Sequence, residues 1–118
     1  MEAVILMGEQ SDRAVFSRMA REHHHMMLVY ARTLVRDEGE VRDLVQEALV
    51  AAWTSLKKFD VTRDTGAWLR GIVRNKWRDH CRRNGRRLQF TDGELGELEA
   101  DLLAWEAARR GGVMEALQ

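Results

Sequence analysis

Apolar residues return every three or four positions along most of this chain, which is the period of amphipathic helices. From about Ser11 to Val35, Phe16, Met19, His23, Met26, Met27, Tyr30, Ala31 and Leu34 share one helical stripe, with Ser11 as the expected N-cap. A break around Gly39 separates this from a second helix, expected from about Glu40 to Lys57. There Val41, Leu44, Val45, Ala48, Ala52 and Leu56 make one stripe, while Asp43, Gln46, Glu47 and Val50 lie on the far side. Leu49 and Trp53, four residues apart, fall between the two sets, so the apolar surface is wider than a single core stripe needs. Such a helix sits between neighbours or offers its extra strip to a partner.

The segment "KKFDVTRDTG" has no periodicity and reads as a loop. A third helix is expected from Thr65 to about Arg83, with Leu69, Ile72, Val73 and either Lys76 or Trp77 facing inward; Asn84-Gly85 supplies its stop signal. Thr91 and Glu94 then stand at capping-box spacing before a narrow seam of Leu95, Leu98, Leu102 and Trp105. Gly111-Gly112 is expected to end that helix, and "VMEALQ" opens a further helix-like pattern. The 118 residues contain no proline, so no helix loses a backbone donor to one. The expected fold is all-α: a bundle of three main helices plus a C-terminal acidic helix.

Composition narrows the class. A hydrophobic fraction of 45% supports a core and argues against wholesale disorder. Cys81 is the only cysteine, which excludes an internal disulfide and fits a reducing compartment. The first apolar run, Ala3 to Met7, is too short to span a membrane and has no basic flank before it. The expectation is a soluble cytoplasmic protein.

Charge changes the picture more. The formal net charge is zero, yet residues 62–87 carry nine cations and two acids, and residues 91–108 carry six acids and no cation. This segregation suggests a polyanion-binding face followed by an acidic segment; two solvated helix faces of differing sign are the plainer alternative. On the third helix Arg70, Arg74, Arg78 and Arg82 recur every four residues, each step turning about 400°, so the row drifts slowly along one side. Like charges at that spacing repel, and a polyphosphate would relieve the repulsion through counterion release. Arginine also offers forked donors to phosphates and base edges. Trp68 and Trp77 share the helix, with Phe59 and Phe90 flanking it; each is either core or a platform for an unpaired base.

Other signals carry less. His23, His24 and His25 are adjacent, and consecutive helical residues point about 100° apart, so they do not converge on one ion. His23 is expected to be a packed histidine on the apolar stripe. Cys81 has no positioned base visible in the sequence, and neither a Gly-rich phosphate loop nor a paired catalytic carboxylate motif occurs. Neither an enzyme nor a bound cofactor is expected.

Taken together, "YARTLVRDEGEVRDLVQEALVAAWTSLKKFD" and "TGAWLRGIVRNKWRDHCRR" resemble region 2 of the sigma-70 family of RNA polymerase sigma factors, in its extracytoplasmic-function (ECF) group. The resemblance rests on Asp43-Leu44-Val45-Gln46-Glu47, Ala52-Trp53, Phe59-Asp60, Ala67-Trp68-Leu69 and Ile72-Val73-Arg74-Asn75 with the basic tail, in order over roughly Phe16 to Arg87. One departure is that the family often has an aromatic and a basic residue before Ala67-Trp68, where this chain has Thr65 and Gly66.

The resemblance implies a domain over residues 1–90, an acidic linker helix over 91–118 and, at "VMEALQ", the start of a truncated region 4, as in an engineered fragment. It implies that Asp43, Gln46, Glu47, Leu49, Val50 and Trp53 bind the clamp coiled coil of the largest subunit of core RNA polymerase. It also implies that the third helix and the preceding loop recognise and melt the promoter −10 element. The loop from Phe59 to Gly66, with Phe59, Asp60 and Arg63, would hold an extruded non-template base, and Trp68 would also contact DNA. Arg70, Arg74, Asn75, Arg78, Asp79, Arg82 and Arg83 would face DNA. Asp79 is either a reader of a cytosine amino group or a local partner of Arg82 or Arg83. An anti-sigma factor is a further implied partner. A nucleic-acid-binding module independent of polymerase, or a helical protein-interaction domain, are the alternatives. The expectation is that the arginine row is exposed and lies on a different side of the core from Asp43 and Glu47.

Overall fold

A computed structural model of the chain describes residues 2–59, 63–85 and 90–117; of residues 2–10, 92 and 109–117 it describes the backbone alone. Among the described residues all regular structure is helical: α1 (Glu2–Leu34), α2 (Glu38–Ser55), a 3₁₀ turn (Leu56–Lys58), α3 (Thr65–Arg83) and α4 (Asp92–Leu117). No described helix is long and apolar enough to cross a membrane. The chain divides into two compact units, Met1–Trp77 and Arg78–Gln118, with the division inside α3.

The first unit is built as the periodicity predicts. α1 buries Met19, His23, Met26, Met27, Tyr30, Ala31 and Leu34. α2 buries Val41, Leu44, Val45, Ala48 and Ala52, Leu56 follows from the 3₁₀ turn, and α3 adds Leu69, Val73 and Trp77. Trp77, only 2% exposed, settles which of Lys76 and Trp77 faces inward. A fully buried indole contributes about 3–5 kcal/mol relative to alanine. Asp37 caps α2: its Oδ1 accepts from Gly39 N–H at 3.3 Å, satisfying a donor the helix start leaves open. Glu38 on the first turn pairs with Arg32 at the end of α1, 3.2 Å apart.

Four helix boundaries differ from the sequence reading. α1 begins at Glu2, so Ser11 lies inside the helix and caps nothing. Serine prefers an N-cap but costs little within a helix, and no proline stops the helix earlier. α2 starts and ends two residues before the expected limits, because Asp37 takes the cap and the chain tightens into the 3₁₀ turn at Leu56. α4 runs through Gly111-Gly112 to Leu117, since a mid-helix glycine costs only about 1 kcal/mol.

In the second unit, α3 stops where expected. Gly85 has φ +63°, a left-handed conformation that favours glycine after a helix end. Asn84 closes the turn, donating from its backbone N–H and side-chain amide to His80 O at 3.1 and 3.0 Å. Thr91 caps α4, its Oγ1 accepting from Glu94 N–H at 3.2 Å. Of the expected seam, Leu95 and Leu102 are buried, whereas Trp105 is 41% exposed.

Candidate functional site

Two concave regions of the first unit gather most of the residues singled out in the sequence. The first lies where the 3₁₀ turn meets the start of α3. Asp64 N-caps α3: its carboxylate accepts from Ala67 N–H at 3.1 Å and its carbonyl from Trp68 N–H at 3.1 Å. The cap sets the direction of the first helical turn and so aims Trp68 back at the chain before it. There Phe59 and Trp68 lie ring on ring, centroids 4.1 Å apart and 14° from parallel. They line an open cleft of about 820 Å³ with Ser55, Lys58, Arg63, Asp64 and Ala67.

Both rings are half-buried, so each has a face committed to the protein and some area left for a flat ligand. Lys58 and Arg63 bring two cations to the rim, and Arg63 is exposed. An aromatic platform edged by cations can hold a base and its phosphate. Lys58, Ser55 and Ala67 were not anticipated. Lys58 directly precedes Phe59, and that adjacency was the available signal. Asp60 lies outside the described residues.

The second region lies between α2 and α3. Asp43, Gln46, Glu47, Val50, Ala51 and Thr54 line a groove of about 520 Å³ with Lys76 on its other wall. Val50 is 64% exposed and Leu49 half-buried. Trp53, 41% exposed, meets Phe16 of α1 edge-on, centroids 5.4 Å apart at 67°. The apolar strip beyond the core stripe is therefore real surface, held by one aromatic contact. Lys76 is the unexpected member: α3 supplies a cation to a wall otherwise acidic and neutral.

The arginine row does not form the uniformly exposed face expected of it. Arg70 is 4% exposed, Arg74 and Arg78 are half-buried, and Arg82 is exposed. The physical reason is drift: four residues exceed a helical turn by about 40°, so the row moves from a packed side of α3 toward solvent along its length. As a surface DNA contact Arg70 is corrected by its burial. Lys76, two residues from both Arg74 and Arg78, lies about 200° around the helix from them. It is thus Lys76, not the row, that faces the acidic wall of α2.

In the second unit Arg82 Nη2 donates to Asp79 Oδ1 at 2.7 Å. The local partner for Asp79 is the one the structure contains. Arg83 is exposed beside it, and Asn75, in the first unit, is also exposed. His23 is packed, at 9% exposure, with Nδ1 buried and unpartnered by hydrogen bonds, while His24 and His25 face solvent. The three side chains do not converge.

The family profile for sigma-70 region 2 matches residues 19–87. RNA polymerase sigma factor CnrH of Cupriavidus metallidurans is 37% identical over 89 residues, covering 75% of this chain and 47% of the relative. RNA polymerase sigma factor NccH of Alcaligenes xylosoxydans xylosoxydans is 34% identical over 104 residues, covering 86% and 56%. ECF RNA polymerase sigma factor SigF of Caulobacter vibrioides is 30% identical over 84 residues, covering 70% and 47%. The chain spans about half the length of these curated relatives. No solved structure matches it. The matched span runs from the buried face of α1 through the groove, the cleft and the whole of α3, and by it the chain belongs to the sigma-70 family, as an ECF-type region 2.

Proposed function

We propose that this chain acts in transcription initiation, docking on core RNA polymerase through α2 and capturing an unpaired base of the promoter −10 element at the start of α3. The observation that carries the reading is the Phe59–Trp68 stack in an open cleft with Lys58 and Arg63. Extruding a base from a duplex costs roughly a few kcal/mol. Stacking on an aromatic returns about 1–3 kcal/mol, and contacts to the base edge and phosphate supply the rest. No bond is made or broken; the step is capture.

The polymerase contact would use Asp43, Gln46 and Glu47 against basic residues of the clamp coiled coil, with Val50, Trp53 and Leu49 as apolar area. Exposure of Val50 and Trp53 beside those acids supports it. Exposed Asn75, Arg82 and Arg83 are phosphate or base contacts in this reading, and half-buried Arg74 and Arg78 present their outer atoms to the backbone. An anti-sigma factor would compete by covering either region.

The test is a paired binding measurement on the full chain: core polymerase by co-elution, and fluorescent −10 oligonucleotides by anisotropy. Binding of both, with single-stranded non-template DNA preferred over duplex of equal length, supports the proposal. DNA binding without polymerase binding would identify an independent nucleic-acid module. Binding of neither would leave a helical interaction domain.

A further inference from the structure

The buried arginine of α3 has no place in that account as a DNA contact, and its surroundings suggest another task. Arg70 and Gly66 are one helical turn apart on the same face of α3. A Cβ added at Gly66 would lie 3.1 Å from Arg70 Nη1, 3.3 Å from Asp64 Oδ1 and 3.5 Å from His23 Cε1. The absent side chain of residue 66 is thus the space into which the guanidinium folds back. Around it meet α1 through His23, the α3 cap through Asp64, and α3 itself.

Placing a cation there is costly in two ways. Desolvating a charge is unfavourable unless it is compensated. The first turn of a helix is also the positive end of its dipole, which disfavours a cation. A site needing only volume would be filled more cheaply by leucine or methionine. Asp64 Oδ1 lies within 3.3 Å of the same point as Arg70 Nη1, and it is the oxygen that caps Ala67 N–H. The guanidinium and the carboxylate that orients the first turn therefore flank the same Gly66 position without a hydrogen bond from Nη1, and Trp68 rides on that turn.

We propose that Arg70 is a positioning residue, a buried cation seated in the Gly66 vacancy that holds the Asp64-capped turn so that Trp68 stacks on Phe59. The geometry does not require the base-capture reading; the consequence for DNA rests on it. Gly66 and Arg70 form one device, because an alanine at 66 pushes against the guanidinium whose room it takes.

The experiment uses the full chain with Arg70→Met, Arg70→Lys, Gly66→Ala and the Gly66→Ala/Arg70→Met double variant. The readout is the near-ultraviolet circular dichroism of the stack, isolated as the difference between wild type and Phe59→Leu. Val41→Ala, in the core remote from the cleft, is the control for destabilisation alone. The expected result is loss of the stack signal in Arg70→Met, weakening in Gly66→Ala, retention of most of it in Arg70→Lys and in Val41→Ala, and no further loss in the double variant. In parallel, affinity for single-stranded −10 DNA should fall roughly tenfold in Arg70→Met and not further in the double variant, as for residues sharing one contact.

An unchanged stack signal in Arg70→Met overturns the proposal, as does independent, additive loss in the double variant. If Arg70→Met fails to fold, Gly66→Ala decides alone: an unaltered stack there refutes the shared device. Wild type that does not bind the oligonucleotide would sink base capture and leave the optical test of Arg70 standing.

Discussion

Trp68 lies flat against Phe59, centroids 4.1 Å apart, although nine positions separate them along the chain. A ring pair with this geometry is worth about 0.5–1.5 kcal/mol beyond its buried area. Trp68→Ala should therefore cost about 1 kcal/mol of stability through the lost pair. Its larger effect should be a fall of roughly five- to a hundredfold in affinity for single-stranded −10 DNA, the worth of one base stack. Anisotropy titration beside a urea melt separates the two effects. Unaltered DNA affinity would remove Trp68 from the proposed site.

Val50 is the most exposed large apolar residue of α2, so its removal leaves the core untouched. Val50→Asp is expected to change stability by less than about 0.5 kcal/mol, as at surfaces generally. In the polymerase-docking reading it should weaken core binding by about tenfold or more, as for a central apolar contact. Glu47→Arg should do the same by reversing the charge of the groove wall. Co-elution with core enzyme at fixed salt reads both. Full retention by both variants would place the docking surface elsewhere.

The Arg82–Asp79 pair is solvent-exposed on both sides, with side-chain exposures of 76% and 49%. Such pairs contribute about 0–1 kcal/mol, so Asp79→Asn should barely move the melting temperature. It should also leave base preference unchanged if Asp79 serves Arg82 and does not read cytosine. Arg82→Ala and Arg83→Ala should each lower the slope of log affinity against log salt by about one. Affinities at four salt concentrations decide both points: a shifted base preference in Asp79→Asn would restore its reading role, and unaltered slopes would remove the two arginines from the phosphate contacts.

Gly85 holds φ at +63°, and a Cβ built there meets nothing within 4 Å among the described residues. Gly85→Ala therefore meets no clash among the described residues and tests backbone strain, expected to cost roughly 1–2 kcal/mol. A denaturant melt measures it, and a neutral result would mean the helix end simply rearranges.

The limits of α3 were legible because their causes are local. Thr65 follows an aspartate cap, and Asn84-Gly85 offers a stop that needs no distant partner. The α2 core stripe was legible for a related reason: burial of one face follows from period alone once a core exists. The start of α1 was not, because Ser11 is a suitable cap that an uninterrupted helix has no need to use. Lys76 was not placed either. In the sequence it is an alternative to Trp77 for the inward-facing position, and only the tertiary structure puts it on the groove wall with Asp43 and Glu47.

By itself the order of residues determined an all-helical chain, both limits of α3, the surplus apolar strip on α2 and the family to which it belongs. Those properties depend on spacing within one element or on short motifs, and both can be read along a line. Tertiary structure alone decided that the arginine row begins in the interior, that Gly66 makes room for Arg70, and that Phe59 meets Trp68. Each of these is set by how helices sit against one another, and a helical period names a face without saying what that face will meet.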